Sequence, residues 1–217
     1  DQLGLDFCCG GHRSLVEAVA AAGLDLDEVH AALAAVSSEP DPGTVAWVEM
    51  SPVELVDHLE TTHHRYLSDT LPRVGALVDK VAAVHRDRHP ELVTVRSLFA
   101  ELRADLEPHL LKEERVLFPM IRELATATTA PRFHCGTLAN PIRAMLTEHD
   151  TAGDLLARLR AATGNYSVPE DGCASYHALY AALAEIEADT HLHVHKENNV
   201  LFPAVLATEA ALEHGAS

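Results

Sequence analysis

Residues 109–119 read HLLKEERVLFP, and residues 193–203 read HVHKENNVLFP. Seven of the eleven positions agree (His, Lys, Glu, Val, Leu, Phe, Pro), and the two copies lie 84 residues apart. This repeat constrains the fold more than any other feature. Each copy sets a proton-active, metal-liking cluster directly against an apolar run. In each, His and Glu are spaced i, i+4: His109 with Glu113, and His193 with Glu197. On a helix such a pair lies on one face, one turn apart. A single pair of this kind is ordinarily a surface contact. A repeated one needs a shared reason.

The repeat extends upstream. His64 lies 45 positions before His109, and His149 lies 44 positions before His193. Each half therefore reads as a helical hairpin, with one histidine on its first helix and a His/Glu pair on its second. Two such hairpins packed about a pseudo-twofold axis bring four imidazoles and two carboxylates into the interior of a four-helix bundle. Carboxylate-bridged dimetal sites are built there from inward-facing side chains. Six ligands are too many for tetrahedral zinc. An all-oxygen set would suit calcium or magnesium, and thiolates an iron–sulfur cluster. Four imidazoles and two bridging carboxylates suit two iron or manganese ions. With an oxo or hydroxo bridge, each ion keeps an open position for a small molecule. The Val-Leu-Phe-Pro run then continues the core beside the site and shields it from water.

The rest of the chain supports an all-α reading. Ser51-Pro52-Val53-Glu54 has the form of a capping box with proline at the first helical position. It opens a helix toward residue 87, with a kink expected at Pro72. A second helix is expected over about 91–126, with Leu98, Leu102, Leu106 and Leu110 at helical spacing. Asn140-Pro141 repeats the cap-plus-proline signal and opens a third helix to about Ala162, ended by Gly164-Asn165. A fourth runs from about 173 through the second Val-Leu-Phe-Pro. The expected architecture is an up-down-up-down bundle over 51–217. Before it come a linker over 38–50 and a small unit over 1–37, two short helices broken near Gly23.

Sixteen basic against thirty-three acidic residues give a net charge of −17. That field repels nucleic-acid backbones and anionic membrane surfaces and attracts cations. No run approaches a membrane span. No signal peptide is visible, and the four cysteines form no C-x-x-C pair, so a reducing cytoplasm is expected. His191 and His195, two residues either side of His193, should face away from the side it faces. Glu148 reads as an exposed helix acid or a group near the site. Tyr66 and Tyr166 allow either a functional or a packing role. Cys135 and Cys173 read as plain residues, and no role is assigned to His134.

These motifs resemble the hemerythrin-like di-iron proteins and, more narrowly, the Repair of Iron Centres family. The resemblance rests on FCCGG, LVDHLETTHHRYL, HLLKEERVLFPMI, TEHDTAGDLL and HKENNVLFP. It implies a cytoplasmic non-haem di-iron protein that helps restore iron–sulfur clusters damaged by nitric oxide or peroxide, with nitric oxide binding or reduction as a related activity. Damaged iron–sulfur proteins would be its clients, and it would act as a monomer or a dimer. It implies His64, His109, Glu113, His149, His193 and Glu197 as iron ligands, with Glu113 and Glu197 bridging. It favours His64 over the adjacent His63. It also favours a redox or iron-handling role for the vicinal thiols Cys8 and Cys9, over two small residues beside a Gly-Gly turn. The family's first unit usually begins further upstream, whereas seven residues precede Cys8 here. The competing reading is a carrier or sensor that binds oxygen or nitric oxide without turnover. A ferritin-type oxidase is disfavoured, since that class uses Glu-x-x-His pairs and more carboxylates.

Overall fold

The computed structural model describes residues 14–21, 23–35 and 47–215. Helices α1 (Leu15–Ala21) and α2 (Leu26–Ala35) form the first unit, and Gly23, at φ +66°, turns the chain between them. Ser14 and Glu17 cap α1 reciprocally, and the Asp25 carboxylate accepts the Asp27 and Glu28 amides at the start of α2. Cys8 and Cys9 lie outside the described residues.

A 3₁₀ turn, Trp47–Glu49, precedes the bundle. The first arm comprises α3 (Pro52–Leu59), a π-helical turn (Glu60–His64) and α4 (Arg65–His85). The second comprises α5 (Glu91–Lys112), a π-turn (Glu113–Leu117) and α6 (Phe118–Thr126). Helix α7 (Ala139–Ala162) is the third arm. The fourth comprises α8 (Ala174–Lys196), a π-turn (Glu197–Leu201) and α9 (Phe202–Gly215). Helix α4 packs on α5 and α8, and α7 packs on α5 and α8, which closes the ring. Each arm packs on the next in the chain, which gives the up-down-up-down order. Among the described residues there is no strand, only one isolated bridge between Phe133 and Gly136. No described helix is long and apolar enough to cross a membrane.

The capping box forms as the sequence predicts. Glu54 N–H donates to Ser51 Oγ at 3.3 Å, and the Ser51 amide donates to the Glu54 carboxylate at 2.9 Å. The start of α7 differs from expectation. Asn140 lies inside the helix and spends its side-chain amide on the Cys135 carbonyl at 2.7 Å. The first amide of this helix, Leu138 N–H, is satisfied across the molecule by the buried carboxylate of Glu209, at 3.0 Å. A tertiary cap has replaced the local one. At the other end, Gly164 and Asn165 take left-handed backbone and terminate α7.

Helix α4 runs through Pro72 without a break. Three π-turns with i→i−5 bonds lie elsewhere: Arg65 N–H to Glu60 O, Phe118 N–H to Glu113 O, and Phe202 N–H to Glu197 O. Two of them run into Pro119 and Pro203, which have no N–H to give the carbonyls four residues back.

The core falls into two blocks. One takes Leu67 to Ala82, Leu92 to Leu110, Ala152 to Leu159 and Tyr176 to Ile186 from the four arms. The other takes Leu55 to Leu59, Leu117 to Leu124, Leu138 to Met145 and Leu201 to Val205. Along every arm the chain passes from one block to the other near the residues the repeat singled out. All three π-turns lie at that waist.

Candidate metal centre

Four histidines and two glutamates converge at the waist, and all six are buried. They form two groups: His64, Glu113, His193 and Glu197, and His109, Glu113, His149 and Glu197. Within each group one ligand atom per residue lies within 4.8 Å of the others. Each group thus takes one imidazole from either hairpin, and the two groups share both carboxylates.

The Nε2 atoms point inward. Glu113 Oε2 lies 3.5 Å from His64 Nε2 and 3.3 Å from His109 Nε2. Glu197 Oε2 lies 3.1 Å from His149 Nε2, and its Oε1 lies 3.2 Å from His193 Nε2. Each carboxylate therefore reaches from one group to the other. His109 and His149 face each other, Nε2 to Nε2, at 3.1 Å.

Three of the outer nitrogens are committed to acceptors. His64 Nδ1 meets Glu114 Oε1 at 3.0 Å, His109 Nδ1 meets Glu148 Oε2 at 2.9 Å, and His149 Nδ1 meets Asn198 Oδ1 at 2.8 Å. A ring that donates through Nδ1 presents its lone pair through Nε2, the tautomer a metal ligand needs. Both oxygens of Glu113, Glu197 Oε2 and His64 Nε2 are buried without a hydrogen-bond partner. Buried carboxylate oxygens without donors are costly, and a cation at the shared centre removes that cost. The donor set present fits metal ions.

Without a cation the site holds protons. Burial alone would depress His64, but the Glu113 carboxylate overcomes it and raises the ring to about 9. His149 is likewise depressed by burial and raised on balance to about 9, chiefly by Glu197. His193 is pushed down by burial. Burial opposes the charge on Glu197, yet His193 and His149 hold it well below the usual carboxylate range.

Two neighbouring histidines take partners outside the cluster. His63 turns from the cluster to Asp189 and Lys196, and His195 meets Asn199 and Trp47. Glu148 touches His109 directly and is also held by Lys112. Burial pushes that carboxylate up, but Lys112 and His109 outweigh it and keep it below its ordinary value. Tyr66 and Tyr166 pack against the first core block. His134 is exposed, Cys135 packs on the second block, and exposed Cys173 lies 3.3 Å from His85 Nε2. The sequence reading passed over Glu114 and Asn198. Their signal was present, since each directly follows a repeated glutamate. It also passed over Lys196, a lysine that is 3% exposed.

Residues 55–205 match the hemerythrin HHE cation binding domain, and residues 1–37 match a domain of unknown function, DUF542. A Haemophilus influenzae protein named as a probable iron-sulfur cluster repair protein is 36% identical over 203 residues, covering 93% of this chain and 87% of the relative. The iron-sulfur cluster repair protein YtfE of Cronobacter sakazakii is 34% identical, covering 94% of this chain and 88% of its own. That of Escherichia coli O1:K1 is 34% identical with the same coverage.

Proposed function

This chain belongs to the hemerythrin HHE cation-binding family, and from that premise we propose that it holds two iron ions and takes part in repairing iron–sulfur clusters damaged by nitrosative or oxidative stress. The observation that carries the reading is the sharing of Glu113 and Glu197 between two buried groups, each with two histidines of its own. The names of its relatives supply the repair role.

His64 and His193 would hold one ion and His109 and His149 the other, with both carboxylates between them. Iron there supplies one-electron chemistry, open positions for nitric oxide or oxygen, and the element a damaged cluster has lost. The protein's own groups do the rest. Glu114, Glu148 and Asn198 fix three imidazole tautomers. Leu117, Phe118, Leu201 and Phe202 close the waist on one side and exclude water. His64 and His149 carry protons that ion binding must displace, so the site exchanges protons for metal. Glu148, at a partly exposed edge, holds His109 through its Nδ1 at 2.9 Å, so that its Nε2 faces the centre. The net charge of −17 raises the local concentration of ferrous ions. Cys8 and Cys9 would handle iron in transit as a vicinal thiol pair. The reading carries a cytoplasmic location, with damaged iron–sulfur proteins as clients.

The test is metal content together with repair. The chain should bind two irons and restore a nitric oxide-treated [4Fe–4S] enzyme. Glu113→Ala or Glu197→Ala should cost both irons, because each carboxylate serves both positions, whereas His193→Ala should cost one. A Glu113→Ala, Glu197→Ala double variant that keeps full iron and full repair would falsify the reading.

A further inference from the structure

The two positions are built from equivalent residues but are not equivalently supported. Glu148 directly precedes His149, and in the other hairpin the residue directly preceding His64 is His63. Glu148 accepts from His109 Nδ1 at 2.9 Å and is itself held by Lys112. The counterpart of His109 is His193, and its Nδ1 is buried with no partner among the described residues.

His63 cannot supply one. Lys196 Nζ donates to His63 Nε2 at 2.7 Å, and His63 Nδ1–H donates to Asp189 Oδ1 at 2.8 Å. Both nitrogens are committed. The His63 ring lies against His193 as a parallel stack, with centroids 5.3 Å apart and planes 4° apart. A carboxylate behind a ligating imidazole fixes its orientation and raises its basicity. His109 has that support, and His193 has only the face of the His63 ring. The remaining ligands do not reverse the order. His64 is backed by Glu114, but that carboxylate is 36% exposed and screened by water. His149 is backed by Asn198. One position thus has an acceptor behind each histidine, and the other has one behind only a single histidine.

We propose that the His64/His193 position yields its iron first, and that His63, standing where the other hairpin has Glu148, sets this order. The inference rests on the di-iron reading and names the ion available for delivery.

The experiment is release of ferrous iron from the fully loaded full-length chain to an excess of a colorimetric ferrous chelator, without oxygen. Two phases of equal amplitude are expected, separated by roughly 10–100-fold in rate, the range that an outer-sphere partner commands in affinity. His63→Glu places a carboxylate opposite Lys196 and behind His193, and should slow the fast phase toward the slow one. Glu148→Gln should accelerate the slow phase and leave the fast phase in place, and it serves as the test should His63→Glu not fold. His193→Ala should retain one iron that leaves at the slow rate, and His109→Ala one that leaves at the fast rate. A single release rate in the unaltered chain overturns the assignment. So does a fast phase untouched by His63→Glu, or a slow phase untouched by Glu148→Gln. A chain that never binds two irons overturns the di-iron reading as well, so the two failures are told apart by the loading step.

Discussion

The two hairpins repeat each other at the ligands and diverge one residue away. His64 and His149, His109 and His193, and Glu113 and Glu197 occupy matching places, and so do Phe118 and Phe202. Phe118 lies 5.2 Å from the His64 ring, and Phe202 stacks on His149 at 6.0 Å with planes 3° apart. Beside these matches, Glu148 answers to His63, and exposed Lys112 to buried Lys196. The six residues that converge at the waist are duplicated, and the groups behind them are not. The difference teaches that a repeat constrains residues whose direction and atom type are dictated by a shared centre. It leaves their neighbours free to specialise.

The phenylalanines test the matched part most severely. Each is fully buried and closes the waist against one imidazole. Phe118→Ala and Phe202→Ala should each cost about 3–5 kcal/mol of unfolding free energy, the usual range for deleting a buried aromatic ring. Chemical denaturation of the metal-free chain would measure it. If the hairpins are equivalent here, the two losses agree within about 1 kcal/mol. A large loss from one and a small loss from the other would break the match.

The protons offer a second comparison, of nearly the same size. His64 and His149 both rise from 6.5 to about 9 in the metal-free site. A group bound more tightly by protons in the folded state adds stability below its unfolded value and loses it as pH rises through the folded one. Metal-free protein should therefore weaken between pH 6.5 and about 9, by on the order of 3 kcal/mol for each of these buried rings. Glu197 acts in the opposite direction, and its contribution is lost as pH falls below 4.5. Iron-loaded protein should lack the alkaline loss, since the ion replaces those protons, and its affinity should rise with pH over the same interval. Melting curves of both forms at pH 6.5 and 9.5 would check this. An alkaline loss equal in the loaded form would refute the exchange of protons for metal.

Most of the His/Glu cluster was legible because it is periodic. His109 and Glu113 share a helix face by spacing alone, and the second copy removes the chance explanation. The up-down order followed from Gly164, the Ser51 box and the proline signals. Three things were not legible. The π-turns lie where the helices bend their register around the centre, and only Pro119 and Pro203 hint at them. The first, ending at His64, has no nearby proline. Lysines are rarely buried, so nothing in the string marks Lys196 as the one enclosed by His58 and His63. Which imidazoles fall in one group depends on how the hairpins cross, and the crossing groups His64 with His193 rather than with His109.

The starts of the two hairpins show the same limit on a smaller scale. Helix α3 is capped by a residue three positions from its partner, so the motif can be read from four letters. Helix α7 is capped by Glu209, 71 residues away, and its own Asn140 serves the preceding loop instead. The costs of removal should follow the burial. Ser51→Ala exposes an amide that water can reach, and should cost about 1 kcal/mol. Glu209→Ala strands the Leu138 N–H where its side chain is fully buried, and should cost about 1–3 kcal/mol. It should also loosen the 127–138 connection, visible as faster amide exchange there. Equal losses from the two substitutions, with no change in exchange, would mean that water replaces the Glu209 carboxylate as readily as it replaces the serine.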